Sequence, residues 1–442
     1  MNLEYRKLTP EEHPLADELN RAAEGTAPVP DWVEYWGKNA WEFDRSVVAF
    51  DGAELVGQSM SYSHSISVPG GANVACGGLS WVGVRSTHRR MGIMREMVRR
   101  HLADYRERGE PLAALFAKEA PIYGRYGWGV ATWNEDLEID SARSELHDGL
   151  GVDGDVRFVG WGDAIEEFAP VHEQAMLQKP GMFARSGPFW VRELRGKESP
   201  PGKLLKTLQV GCYFEGHCEG FASYRTDEDW SEGNPSGTVW IGDLVASSAR
   251  ASARLWRYFL EIDLTRTIRI LRPPDEPLHW WLKDRRAVTR TVSDGLSLRL
   301  VDVAKALGAT IYGLEDTIAI GVVDATCGWN SSTYLLDSGE EGAVCSPTSR
   351  TPEVTMMVED LGSLYLGGVS AYSMHAAGRI DDHAGDGVGG GLQDEEGAGV
   401  RDCRYGIHLP AGGYSCFDLE SSDRRDPSTP GRQGSQDPRH SI

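Results

Sequence analysis

The chain has 442 residues, 40% of them hydrophobic, and a formal net charge of −21 at pH 7. That length predicts two or three domains with packed cores, and no stretch approaches the roughly 20 consecutive apolar residues of a membrane span. The charge argues against nucleic acid, whose phosphates need a concentrated positive surface, and fits either plain solubility or cationic partners such as polyamines, lysine side chains or aminoglycoside-like sugars.

Residues 1–6 lack the basic, apolar and small-residue order of a signal peptide, which predicts a cytoplasmic protein. Thr9, Pro10, Glu11 and Glu12 form a capping box with proline at the first helical position, and Leu15, Leu19 and Ala22 follow at helical spacing. Residues 46–84 alternate strands with turns at Asp51-Gly52 and Pro69-Gly70-Gly71, consistent with an antiparallel meander. A helix is expected from Arg89 onward. Ile93, Met97, His101 and Tyr105 form one i, i+4 row, and Met94, Val98 and Leu102 the row beside it, so one face is buried. Its start is unusual, because Arg89 and Arg90 stand where unpaired N–H groups and the positive dipole end disfavour cations. Gly92 falls in the first turn, lowering helix propensity while letting backbone amides approach a phosphate closely. A bound pyrophosphate would reconcile both choices.

Residues 112–117 are a short apolar run expected to be a central strand, and residues 122–128 are a turn rich in glycine and tyrosine. The first domain is expected to span 1–150. In residues 151–285 the plan recurs: 238–246 reads as a strand, and Ser247 or Ser248 caps a helix continuing through Leu255, Phe259 and Ile262. No glycine follows that cap, so this unit is expected to be a degenerate copy that does not bind phosphate. Residues 286–380 mix strands, such as 317–323, with a helix around 303–307. Residues 381–442 are rich in Gly, Asp, Arg, Ser and Pro and cannot bury a core, so they are expected to be either a disordered tail or the product of a reading frame that slipped near residue 380. The seven cysteines are scattered, and even Cys212 and Cys218 lack a second pair at metal-ligand spacing, so reduced thiols and no metal site are expected.

The strand Val82-Gly83-Val84, the segment from Thr87 to Gly92 and the turn from Ile122 to Gly127 together resemble the GNAT superfamily of N-acetyltransferases. The nearer likeness is to its Eis-type (enhanced intracellular survival) branch, which is also similar at residues 274–277, 299–302 and 361–368. The resemblance runs from about residue 3 to about residue 380. It implies an α/β fold with mixed sheets: two GNAT-like domains, the second degenerate, then a sterol-carrier-like domain over 286–380. It also implies acetyl-CoA as cosubstrate and a homo-oligomer, hexameric in the family.

The implied chemistry is acyl transfer from a thioester to a primary amine. Backbone groups of Val82, Gly83 and Val84 would pair with the pantetheine arm and stabilise the developing oxyanion. Arg90, Met91, Gly92, Ile93, Met94 and Arg95 would supply amides and charge to the pyrophosphate. Lys118 and Glu119 match family positions that contact the coenzyme. Tyr123 corresponds to the family tyrosine facing the sulfur and is the expected acid, with Tyr126 as competitor. The family's base is a C-terminal carboxylate on an aromatic residue, a role that would fall here to Ile442, which is not aromatic and follows a longer tail. Asp31, Glu34 or Asp302 are alternatives, as leads for a water chain or as partners of the substrate's other amines. Trp32, Trp36 and Trp81 are expected either to line an amine pocket or to sit in the core. Two readings of another class remain: a non-catalytic acyl-CoA sensor, and a carrier of apolar ligands with a vestigial first domain.

Overall fold

The computed structural model describes residues 3–25, 30–150, 153–195, 207–313, 315–339 and 342–383, with backbone only for residues 24, 30–34 and 195. The expected tail beyond residue 383 lies outside the described residues.

The first sheet is built from β1 (Leu3–Arg6), β2 (Ser46–Asp51), β3 (Glu54–Ser67), β4 (Asn73–Val84), β5 (Leu112–Phe116) and β6 (Gly129–Val130), joined by β16 (Leu296–Leu300) from far down the chain. Its order is β1-β2-β3-β4-β5-β16-β6. The meander β1 to β4 is antiparallel, and β4 pairs in parallel with β5 across helix α3 (Ile93–Arg108). Both faces of β2 are covered, as strict alternation shows: Val47 and Ala49 pack on Ile93 and Met97 of α3, while Val48 and Phe50 join the cluster holding Leu19 of helix α1 (His13–Glu24).

The expected capping box is present at a 3₁₀ turn, Pro10–Glu12, and α1 follows it. The buried stripe differs from the expected one. Leu15 and Ala22 are exposed, and the sheet side carries His13, Ala16, Asp17, Leu19 and Asn20. His13 packs edge-on against Trp41 at 4.7 Å, so a polar ring holds a place that an apolar-only pattern assigns elsewhere.

The second sheet contains β7 (Trp133–Asp140), β8 (Asp155–Phe158), β9 (Leu208–Phe214), β10 (His217–Asp227), β13 (Gly237–Ala246), β14 (Thr265–Arg272) and β15 (Val288–Asp294), in the order β15-β7-β14-β13-β10-β9-β8. A separate hairpin, β11 (Trp230–Ser231) and β12 (Asn234–Pro235), projects between β10 and β13. Helix α7 (Ala249–Leu260) connects the parallel strands β13 and β14, repeating the plan of β4, α3 and β5. It packs on one face of the sheet, with Ala251, Leu255, Trp256 and Phe259 in the core. Helices α5 (Ala164–Gln178) and α6 (Gly187–Arg195) cover the other.

The third sheet is β19-β18-β17-β20-β21, from β17 (Asp316–Val323), β18 (Ser332–Gly339), β19 (Gly342–Pro347), β20 (Val354–Met357) and β21 (Ile380–Asp382). It carries α9 (Val303–Gly308), α10 (Val358–Leu364) and α11 (Ala371–Ala376).

The units exchange strands. β7, expected within 1–150, lies in the second sheet, and β16, expected within 286–380, fills the first between β5 and β6. The physical reason is the edge of β5: Leu112, Ala113, Ala114 and Leu115 are buried on both faces and need a partner on each side. Local periodicity marks a buried strand but not the sheet that receives it.

Candidate functional site

β4 and β5 share only a short parallel register, Cys76 to Gly78 against Leu112 to Ala114. Beyond it β4 keeps β3 as its partner and β5 keeps β16, so the two strands diverge toward Val84 and Phe116. At the divergence β4 carries a bulge opposite Gln58 and Met60, where Trp81 adopts φ 54°. A bulky residue in the left-handed region marks stored strain. It is held by its indole N–H, which donates to Tyr62 Oη at 2.9 Å, and by the Trp41 ring at 5.0 Å. Val82, Met94 and Tyr123 pack against one apolar cluster with Leu79, Val98 and Leu102, so three separate sequence segments converge here.

Two left-handed residues, Arg90 at φ 65° and Gly92 at φ 81°, precede α3. Gly92 is the N-cap rather than a first-turn residue, and Arg89 and Arg90 stand ahead of the helix, which starts at Ile93. No side chain caps this helix start, and a Cβ at Gly92 would meet nothing within 4 Å. Its start therefore has neither a capping side chain nor a neighbour where a Cβ would stand. Arg89, Arg90 and Arg95 are exposed and form no ion pair among the described residues, whereas Arg85 pairs with Glu54, and Arg99 and Arg100 with Glu96. Hydrogen bonds from Arg99, then from Arg100, hold the Glu96 carboxyl down at about 2. The donors and free cations suit a diphosphate.

The start of α7 shows the opposite condition. Ser248 caps it, accepting from Ala251 N at 3.3 Å. The Glu219 carboxylate lies beside it, accepting from Ser248 Oγ at 2.7 Å and from Arg250 Nε at 2.8 Å. An internal anion thus sits beside this helix start, held by a serine hydroxyl and a guanidinium, whereas no side chain caps α3.

After β5, the exposed Lys118 and Glu119 lead into α4 (Pro121–Gly124). Tyr123 is half-buried, edge-on to Trp128 at 6.3 Å, and Tyr126 is buried. Accessibility therefore favours Tyr123 over Tyr126 as the residue able to meet a ligand. The Tyr123 carbonyl accepts from Tyr126 N at 3.0 Å, closing the turn.

Trp36 is core: it is buried, its indole N–H donates to Tyr62 Oη, and a Phe189 ring packs edge-on to it at 5.4 Å. The side chains of Asp31, Trp32 and Glu34 lie outside the described residues, as does Ile442. Asp302 is not near the divergence. It caps α9 through Lys305 N at 3.1 Å, and its own N–H donates to Pro111 O at 3.2 Å, at the end of β5 away from Lys118. Beside the bulge stand residues that sequence reasoning missed: Tyr62, His64, Phe183 and Phe189. His64 lies 4.9 Å from each phenylalanine ring, and burial, aided by Arg192 and Arg45, pushes its pKa down to about 3. Tyr62 and His64 alternate on one face of β3, a readable signal, but the phenylalanines arrive from a distant segment with no local signature. Among the described residues no group of His, Cys, Asp or Glu is placed to hold a metal ion, and no helix is long and apolar enough to cross a membrane.

Family models for an acetyltransferase (GNAT) domain match residues 4–131 and 181–300, and a sterol carrier protein domain matches residues 303–389. The chain is 37% identical over 367 residues to an uncharacterized N-acetyltransferase of Streptomyces avermitilis, covering 82% of this chain and 89% of that one. It is 34% identical over 370 residues to the N-acetyltransferase Eis of Mycobacterium tuberculosis, covering 80% and 88%. The crystal structure of Eis1 from Mycobacterium abscessus superposes with a TM-score of 0.75 at 29% identity, over 88% of this chain and 95% of that one.

Proposed function

Because the chain belongs to the Eis-type N-acetyltransferases of the GNAT superfamily, we propose that it moves the acetyl group of acetyl-CoA to a primary amine of a cationic acceptor. The acceptor class is an aminoglycoside, a polyamine or a lysine side chain. The observation that carries this reading is the uncapped start of α3, open above Gly92 and flanked by unpaired arginines, next to the divergence of β4 and β5. The coenzyme diphosphate rests on the amides after Gly92 with Arg89, Arg90 and Arg95 around it, and the pantetheine arm lies along residues 82–84, near Lys118 and Glu119. Trp81 borders the acceptor. The net charge of −21 draws cations toward the surface. The enzyme works in the cytoplasm as a homo-oligomer, a hexamer as in its family.

In the reaction the amine nitrogen bonds to the acetyl carbonyl carbon, the carbon–sulfur bond breaks, and the amine gives up a proton. Tyr123 attends the departing sulfur. A tyrosine has a pKa near 10 and a thiol about 8.5, so complete proton transfer is uphill by roughly 1.5 units. Tyr123 therefore stabilises the thiolate by hydrogen bonding. A carboxylate takes the amine proton.

The test is release of free thiol from acetyl-CoA over a panel of polyamines, aminoglycosides and lysine peptides, with coenzyme-induced thermal shift run alongside. Amine-dependent release with a raised melting temperature is the expected result. A shift without release identifies a sensor, and no shift at all refutes the coenzyme site.

A further inference from the structure

The turn that carries Tyr123 is built around a buried guanidinium. Arg299, on β16, is fully buried; its Nη1 donates to the Tyr126 carbonyl at 2.5 Å, and its Nη2 donates to Asp324 Oδ2 at 2.7 Å. Its charge lies 5.6 Å from the centre of the Trp128 ring. Gly127 stands at φ 90°, and a Cβ there would lie 1.6 Å from Arg299 Nη1, so the turn closes on the guanidinium with no room for a side chain. Asp324 belongs to the sterol-carrier-like unit. Its Oδ1 is fixed by the amides of Thr326 and Cys327 at 3.0 and 2.8 Å, and its Oδ2 also accepts from Asn330 Nδ2 at 3.1 Å. Cys327 from the same loop is buried in the cluster against which Val82, Met94 and Tyr123 pack. The fork of one arginine thus ties a loop of the third unit to the turn of the first.

We propose that Arg299 and Asp324 are positioning residues for acyl transfer, holding the 123–128 turn so that Tyr123 faces the departing sulfur, and that the third unit takes part in catalysis through them. This rests on the role assigned above to Tyr123. Asp324→Asn turns an N–H toward the guanidinium while keeping side-chain size. It is expected to lower kcat by about 10²-fold, as misplacement of a catalytic group does, with KM for acetyl-CoA within about twofold and the coenzyme thermal shift kept. In a Tyr123→Phe background the same change is expected to add less than about twofold, because both act through one hydroxyl. Hydrogen exchange of the 120–130 peptide should quicken while that of α3 does not. Arg299→Lys, which keeps the charge but not the fork, serves if Asp324→Asn fails to fold and should give the same signature. Unchanged kcat in a folded variant, a loss confined to KM, full additivity with Tyr123→Phe, or unaltered exchange at 120–130 would each overturn the proposal. Should Tyr123→Phe itself leave the rate intact, the assignment of Tyr123 to the departing sulfur fails instead, and the exchange measurement still decides whether the couple fixes the turn.

Discussion

His64, His101 and His172 are buried, and burial pushes the first two down to about 3 and the third to about 2. Unfolded, each returns to about 6.5. Between these values the unfolded chain holds more protons, so stability is fully present above about pH 6.5 and is lost as pH falls below it. Each group contributes a slope of about 1.4 kcal/mol per pH unit in that window. His172, edge-on to Trp190 at 5.4 Å, is the cleanest to replace. Urea unfolding of His172→Phe between pH 6.5 and 4 should show a slope shallower by one such increment; an identical slope would exclude His172. At the chemical centre, Tyr123→Phe removes one hydrogen-bond donor to the departing sulfur and is expected to lower turnover by about 10²–10³, while Tyr126→Phe is expected to leave it within a few fold, as stopped-time thiol release would show. Tyr123 was legible because a motif surrounds it. Phe183 and Phe189 were not, since they reach Tyr62 and His64 only through the packing of a distant segment.

Among the elements, α3 and α7 share a plan and differ at their first residue. Gly92→Glu brings a negative charge and a side chain into the space above α3 at a left-handed position, and is expected to abolish the coenzyme thermal shift. Ser248→Ala removes only a cap, and should cost about 1 kcal/mol without touching that shift. Chemical denaturation and coenzyme titration of the two variants check both outcomes. The rows of α3 were readable because every member of the row from Ile93 to Tyr105 is buried. Its start was less so, because nothing in the letters shows that Arg90 takes a left-handed turn. For α1 the apolar count misplaced the face, because His13, Asp17 and Asn20 occupy the interior.

For the whole molecule, the loan of β7 to the second sheet and of β16 to the first means that the units fold together. Residues 1–150 alone lack β16 and leave β7 unpaired, so calorimetry should find no cooperative transition in that fragment; a sharp one would contradict the strand exchange. A chain ending at residue 383 keeps β21 paired with β20 and should melt like the full protein. If its transfer rate drops while its coenzyme affinity holds, the base lies in the removed segment. The first two units were legible because the repeated strand–helix plan is local, whereas the sterol-carrier-like unit was expected from the family resemblance and not from patterning. The exchange was not legible, because pairing across more than a hundred residues leaves no periodic trace.

Glu219 gives the duplicated plan a stoichiometric meaning. With its carboxylate held by Ser248 and Arg250, the later helix start already carries an anion of its own chain, and the two frames of the architecture differ in what they can accept. Isothermal calorimetry should therefore count a single nucleotide thioester per polypeptide, and neutralising that glutamate is the change by which a dormant second berth would reveal itself.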